Sequence, residues 1–226
     1  MNLHDPAEFR DRQDAGRCLA VALSHLAATN PLVLALPRGG VPVAAEVASA
    51  LNADLDLLFV RKLGAPGQPE LGIGAIVDGA NPQMVLNEEI VHQLAPSAAY
   101  IQEEVRRQLA EIDRRRQRYM GDDLPVPIAG RTVIVVDDGI ATGTCIRAAL
   151  LALRGRHPAR LVLAVPVAPA EIIAELAAVV DDVVCLATPS HFQAIGLHYQ
   201  DFHQLEDEEV TQGLAAVDAA LRPGAA

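Results

Sequence analysis

Five short, predominantly apolar runs mark the chain: Leu32–Leu36, Leu55–Val60, Thr132–Val136, Leu161–Val165 and Val183–Leu186. Each is too short for a helix, and continuous apolarity suits a strand buried on both faces of a parallel sheet. Between them the apolar positions recur at helical spacing. Asp11–Ala28 carries Ala15, Leu19, Ala22, Leu23 and Leu26 on one stripe, and Val41–Leu51 opens with Pro42 in its first turn, where a missing N–H is tolerated. Ser97–Tyr119 repeats the pattern with Ile101, Val105, Leu109, Ile112 and Tyr119, and further helices are predicted up to Arg154 and over Ala170–Ala178. Alternating strands and helices predict an α/β domain whose parallel sheet is flanked by helices on both sides. Right-handed crossovers then gather the loops that follow the strands along one edge, where ligands bind.

The remaining stretches break this rhythm. Arg61–Gly74 holds Gly64, Pro66, Gly67, Pro69, Gly72 and Gly74, which predicts a long mobile loop of the kind that serves as a lid. Ala75–Val77 and Met84–Leu86, on either side of Asp78-Gly79-Ala80-Asn81-Pro82, predict a short hairpin. The expected organisation is one domain over 1–226, with a helical insertion near 87–120 and a small hood near 187–206.

Composition narrows the function. Of 226 residues 51% are hydrophobic but only 3% aromatic, so the core must be built from Ala, Val, Leu and Ile. Eighteen basic against 29 acidic side chains leave a net charge of −11, which disfavours DNA, RNA and anionic membranes as partners. A small anion in a locally basic pocket remains compatible. The three cysteines, Cys18, Cys145 and Cys185, have no metal or disulfide spacing. The start Met1-Asn2-Leu3-His4-Asp5-Pro6 lacks a signal pattern and no run approaches a membrane span, so a soluble cytoplasmic protein is expected. Seventeen basic residues are arginines and one is a lysine, Lys62, beside Arg61. That lysine is either a working residue or a chance survivor on the surface.

The richest segment is Val133-Ile134-Val135-Val136-Asp137-Asp138-Gly139-Ile140-Ala141-Thr142-Gly143-Thr144-Cys145. A buried strand delivers two carboxylates to its C-terminal end, and a Gly/Thr-rich turn enters a helix. Unpaired N–H groups and the helix dipole suit a phosphate there, and the carboxylates suit the hydroxyls of an attached sugar. A phosphorylated ribose satisfies both halves. The plainer alternative, Asp and Thr as helix caps, accounts for one of each. Neither the Gly-Lys-Ser/Thr of a P-loop nor GxGxxG occurs.

This segment resembles the thirteen-residue phosphoribosyl pyrophosphate (PRPP) motif of the type I phosphoribosyltransferases. Leu36-Pro37-Arg38-Gly39-Gly40 resembles their pyrophosphate loop, and Arg61-Lys62 the start of their flexible catalytic loop. From about Phe9 to Val210 the chain is similar to a bacterial group of predicted phosphoribosyltransferases. The resemblance implies that Ala141, Thr142, Gly143, Thr144 and Cys145 hold the 5′-phosphate and that Asp137 and Asp138 bind the ribose hydroxyls. It implies Arg38 and Gly39 as pyrophosphate contacts, with a non-proline cis peptide nearby, and Arg61 and Lys62 closing on the same group. Mg²⁺ would arrive with PRPP, held by pyrophosphate, ribose oxygens and water.

Two positions depart from the family pattern. Cys145 replaces the usual Thr or Ser, and Ala141 stands where the 6-oxopurine enzymes carry an acid. Glu70 is then either a proton-transfer group or an ordinary loop carboxylate. For the acceptor, Phe192, Tyr199, Asp201 and Phe202 either form a base site or cover the sheet edge. His191, His198 and His203 read as surface or core histidines, Cys18 and Cys185 as small buried hydrophobes. Arg106, Arg107, Arg114, Arg115 and Arg118 read mainly as a solvated helix face, with a local phosphate- or RNA-binding patch as the alternative. The resemblance implies transfer of ribose 5-phosphate from PRPP to a nitrogen acceptor, such as a nucleobase in nucleotide metabolism, with release of pyrophosphate. The rival is a non-catalytic PRPP or nucleotide sensor. The sequence leaves the acceptor and the oligomeric state open, a homodimer among the options.

Overall fold

The computed structural model describes residues 9–79 and 82–221. Met1–Pro6, read above for targeting, and Ala80 and Asn81 of the expected hairpin turn lie outside the described residues. In chain order the elements are α1 (Arg12–Ala22), β1 (Leu32–Ala35), α2 (Gly40–Leu51), β2 (Asp54–Leu57) and β3 (Val60–Ala65). Then come β4 (Gln68–Val77), β5 (Gln83–Leu86), α3 (Glu88–Leu94), α4 (Ala98–Met120) and β6 (Thr132–Val136). Last are α5 (Thr144–Arg154), β7 (Arg160–Val167), α6 (Ala170–Ala177), β8 (Asp182–Ala187) and α7 (Asp207–Leu221).

Five strands form the expected parallel sheet in the order β2-β1-β6-β7-β8. Side chains of period two divide its core between two faces. Val33, Ala35, Ile134, Val136, Val162 and Ala164 pack under α1, α2 and α7. Leu32, Leu34, Val133, Val135, Leu161 and Leu163 pack under α5 and α6. Both faces are covered, which is why the strands read as unbroken apolar runs. Among the described residues no helix is long and apolar enough to cross a membrane.

The stretch Arg61–Gly74 corrects the sequence reading. It is not a long loop but most of an antiparallel hairpin, β3 with β4, extended by β5 into a separate three-stranded sheet. Its glycines and prolines serve strand geometry. Pro66-Gly67 makes the tight turn, with Gly67 at φ +70°. At Gly74 a Cβ would lie 2.4 Å from the Val85 carbonyl oxygen, so only glycine allows β4 and β5 to approach so closely. The register shifts around Gly64 mark a bulge.

Other boundaries move for local reasons. The second core strand stops at Leu57, because the chain leaves the parallel sheet there and Val60 begins the hairpin. The helix expected over 11–28 ends at Ala22 and tightens into a 3₁₀ turn over Ser24–Thr29, in which the Leu26 N–H donates to the Leu23 carbonyl and Leu26 turns into the core. Cys18 is exposed rather than buried. The 87–120 segment holds α3 and α4. α7 was not anticipated, and it buries Val210, Leu214 and Val217 in the core cluster it shares with α2.

Candidate functional site

β1 and β6 are neighbours in the sheet, so the loops leaving their C-terminal ends meet. Pro37-Arg38-Gly39 therefore lies against Asp137-Asp138. The Pro37–Arg38 peptide is cis, as the resemblance implied. A Cβ on Gly39 would fall 2.3 Å from Asp138 Oδ2, and one on Gly40 2.7 Å from the Val136 carbonyl oxygen. Glycine at 39 is what lets this loop close on the acidic pair.

The two carboxyls have different surroundings. Asp138 is buried, and its Oδ2 accepts from Arg12 Nε at 2.7 Å. Arg12, in the first turn of α1, also donates to the His203 carbonyl at 3.0 Å and lies 3.8 Å above the Phe202 ring. Asp137 Oδ1 accepts from the Asp138 N–H at 2.9 Å. Burial, and then the neighbouring Asp138 charge, push the Asp137 carboxyl well above the usual carboxylate range. Burial raises Asp138 as well, against the pull of Arg12.

After Asp138 the chain turns through Gly139-Ile140-Ala141-Thr142-Gly143, with Gly143 at φ +71°, into the N-terminus of α5 at Thr144. Ala141, Thr142, Thr144 and Cys145 are exposed, and no side chain caps this helix start. That is the arrangement expected of an anion cradle rather than of a self-capped turn. Thr142, Gly143 and Thr144 line one wall of a cleft of about 500 Å³, beside Arg147, with Gly74 and Asn87 on the opposite wall.

Arg61 and Lys62 sit on β3. Arg61 Nε donates to Gln108 Oε1 of α4 at 3.0 Å, and Lys62 Nζ reaches both the carbonyl and Oε2 of Glu70 at 2.9 Å. β3 also packs on α5, the helix that the cradle opens. Cys145 is exposed as a residue, but desolvation of its thiol and then Asp137 raise it, against Lys62 and Arg61. The hairpin cations and the cradle are thus electrostatic neighbours. α4 holds the hairpin by a second contact, the Tyr100 hydroxyl donating to the Gly64 carbonyl at 2.9 Å.

Among the aromatic candidates, Tyr199 is buried between Phe9 and Phe202, with ring centroids 5.5 and 5.1 Å away. Its hydroxyl donates to the Asp138 carbonyl at 2.6 Å, so it braces the acidic pair from beneath. Phe192 stacks on His198. Asp201 is exposed and bonds His203, whose other ring nitrogen meets Glu209. The segment 187–206 thereby folds back onto the loop after β6.

Sequence reasoning passed over Arg12, Gln108 and Asp207. Arg12 carried one signal: a cation in the first turn of a helix opposes the dipole and calls for a specific partner. Asp207 accepts from the Tyr119 hydroxyl and from Arg118 at 2.8 Å, and Arg38 lies 3.7 Å away.

Comparison with known proteins adds a family. The family described as "Phosphoribosyl transferase domain" matches residues 11–201. A Mycobacterium tuberculosis (strain ATCC 25618 / H37Rv) protein whose name provisionally makes it a phosphoribosyl transferase is 46% identical over 225 residues, 95% of this chain and 50% of its own length. Its counterpart in strain CDC 1551 / Oshkosh matches equally. The chain thus spans about half the length of the curated relatives it matches. The crystal structure of TT1426 from Thermus thermophilus has a TM-score of 0.80 at 42% identity, covering 92% of this chain and 98% of that one.

Proposed function

We propose a function from one premise: the chain belongs to the phosphoribosyl transferase family. It transfers ribose 5-phosphate from PRPP to a nitrogen acceptor, a nucleobase being the natural class, and releases pyrophosphate. The meeting of three distant segments supports this most: Gly39-Gly40 packed against Asp137-Asp138, the open helix start at 141–145, and β3, which carries Arg61 and Lys62, packed on α5.

In this reading the amides and hydroxyls of residues 141–145 bind the 5′-phosphate, and Asp137 and Asp138 accept from the ribose hydroxyls. The bond from ribose C1 to pyrophosphate breaks, and its electron pair leaves with the pyrophosphate. The acceptor nitrogen supplies the pair for the new N–C1 bond and afterwards loses a proton to solvent. Negative charge grows on the leaving group, so Arg38, the loop amide of Gly39, Arg61 and Lys62 stabilise it. The Asp137 carboxyl stabilises the cationic sugar. Lys62 must leave Glu70 to reach the pyrophosphate, which makes the hairpin a moving part. Phe192, Tyr199, Asp201 and Phe202 border the acceptor side, Tyr199 by bracing Asp138.

Magnesium fits as a companion of the substrate. Among the described residues no group of three or more His, Cys, Asp and Glu could hold a metal, whereas the charge-averse Asp137 carboxyl would gain from a nearby cation. Asp137 would hold it through water and ribose oxygens, and the ion would draw charge off the leaving pyrophosphate.

One observation favours the sensor reading: Lys62, which only turnover requires, is held by Glu70. Pyrophosphate release from PRPP, measured over a panel of nitrogen bases, separates the two. Release with at least one base, lost in Lys62→Ala, is expected of the enzyme. Tight PRPP binding without release would establish the sensor instead. Full PRPP affinity in Asp137→Asn would remove the ribose assignment.

A further inference from the structure

α4 meets β3 with polar side chains. Tyr100, Glu104 and Gln108 recur at every fourth residue, so they form one stripe along the helix. Glu104 and Gln108 are only 6% and 7% exposed. A carboxylate and an amide at that depth lose their water and must find partners in the protein. Those partners lead to one residue. Gln108 Nε2 donates to Glu104 Oε1 at 2.9 Å, and Gln108 Oε1 accepts from Arg61 Nε at 3.0 Å. Neither Glu104 nor Gln108 has a part in the chemistry described so far.

We propose that Gln108, oriented by Glu104, is a positioning residue for Arg61 and fixes the direction in which its guanidinium meets the leaving pyrophosphate. The proposal rests on the function given above, in which Arg61 stabilises that group. Glutamine is the side chain that suits the place. Arg61 only donates, so it needs an acceptor, and an ionised Glu104 only accepts, so it needs a donor. An amide supplies both at once, and the two neighbours thereby fix its orientation. Arg107 completes the chain from the helix surface, its Nε and Nη2 donating to Glu104 at 2.9 and 2.7 Å. Burial opposes the Glu104 charge, but Arg107, Gln108 and the Gly64 N–H outweigh it and hold the carboxyl below its usual range.

With Nε engaged, the two Nη groups of Arg61 make no hydrogen bond among the described residues. They are the paired donors that two phosphoryl oxygens take side by side. β3 packs on α4 and also on α5, so the guanidinium is held on the strand that adjoins the cradle. The same stripe limits motion. Tyr100 holds the Gly64 carbonyl, so α4 grips β3 at both 61 and 64. The part of the hairpin left to move is the tip beyond Gly64, which carries Glu70. Lys62 thus loses Glu70 while Arg61 keeps Gln108.

The test is calorimetric titration of the full chain, in Mg²⁺, with two probes that differ only in the pyrophosphate: PRPP and ribose 5-phosphate. Gln108→Leu should weaken PRPP about tenfold, the scale of loss that a small misplacement brings. It should leave ribose 5-phosphate within about twofold. A merely structural role would weaken both probes alike. Added to Arg61→Ala, the same substitution should weaken PRPP no further, and Glu104→Gln, which frees the amide to turn, should weaken PRPP alone. In the parent, which needs no variant to fold, NMR should find the Arg61 Nε–H exchanging as slowly with PRPP bound as without it. Equal losses for the two probes, an unchanged PRPP affinity in Gln108→Leu, a further loss on top of Arg61→Ala, or an Nε–H freed by PRPP would each overturn the inference while the proposed function stands. A parent that does not bind PRPP would overturn the proposed function, and this role of Gln108 with it.

Discussion

Arg12 and Asp138, 126 positions apart, form an ion pair with Nε 2.7 Å from Oδ2, and both side chains are at most one-tenth exposed. The pair joins the first turn of α1 to the tip of β6. It ties the acidic pair to the segment that covers it, because Arg12 also holds the His203 carbonyl and the Phe202 ring.

Removing one partner of such a pair leaves a buried charge without compensation. Arg12→Ala should cost about 3–5 kcal/mol of unfolding free energy. Asp138→Asn in the same chain should recover part of that loss. Urea denaturation of the four members of this cycle measures the coupling. A loss below about 0.5 kcal/mol for Arg12→Ala would show that solvent replaces the partner.

Gly39→Ala tests the contact between the loop and the acidic pair. The new methyl would meet the Asp138 carboxyl, which Arg12 holds in place. Overpacking of this kind costs about 1–3 kcal/mol, and the displaced loop should cut PRPP affinity at least tenfold. A variant with unchanged Tm and PRPP affinity would mean the loop yields freely.

Lys62 and Glu70 form an exposed pair, with Glu70 almost wholly in solvent. Breaking it should leave stability nearly unchanged, so Lys62→Ala and Glu70→Gln should both unfold at the parent's urea midpoint. Their activities should diverge. Lys62→Ala should lose roughly 10²-fold or more in pyrophosphate release, as removal of one oxyanion donor does. A similar loss in Glu70→Gln would reassign the proton chemistry to that carboxylate.

Asp78 makes stability depend on pH. Its carboxyl is buried against Arg116 Nη1 at 2.8 Å and the Phe59 N–H at 2.9 Å, with Asp56 and Arg156 also near. Burial is the largest influence and raises it from 3.8 to about 6. The folded chain therefore holds this proton more tightly than the unfolded chain. Asp78 contributes most below pH 4, and its contribution falls as pH rises to about 6. Each pKa unit is worth ~1.4 kcal/mol, so the parent should lose up to about 3 kcal/mol relative to Asp78→Asn between pH 4 and pH 7. Parallel stability profiles for the two proteins would refute the assignment.

Much of this architecture is legible in the sequence because it is set by short-range rules. Strands buried on both faces appear as Leu32–Leu36 and Thr132–Val136, and an open helix start appears as Thr142-Gly143-Thr144. β3 and β4 were hidden because glycine and proline serve a bulged, tightly turned hairpin as readily as they serve a loop. α7 went unread although it buries Val210, Leu214 and Val217.

What the chain alone determined was therefore the alternation of strands and helices and the chemistry carried at each strand end. The tertiary structure decided the partners. Arg12 finds Asp138 and Arg38 meets Asp207 because crossovers bring distant segments to one edge of the parallel sheet, and Arg61 finds Gln108 because α4 packs on the separate hairpin. Local periodicity reports how a segment satisfies its own backbone. It is silent on which charge stands opposite once the layers close.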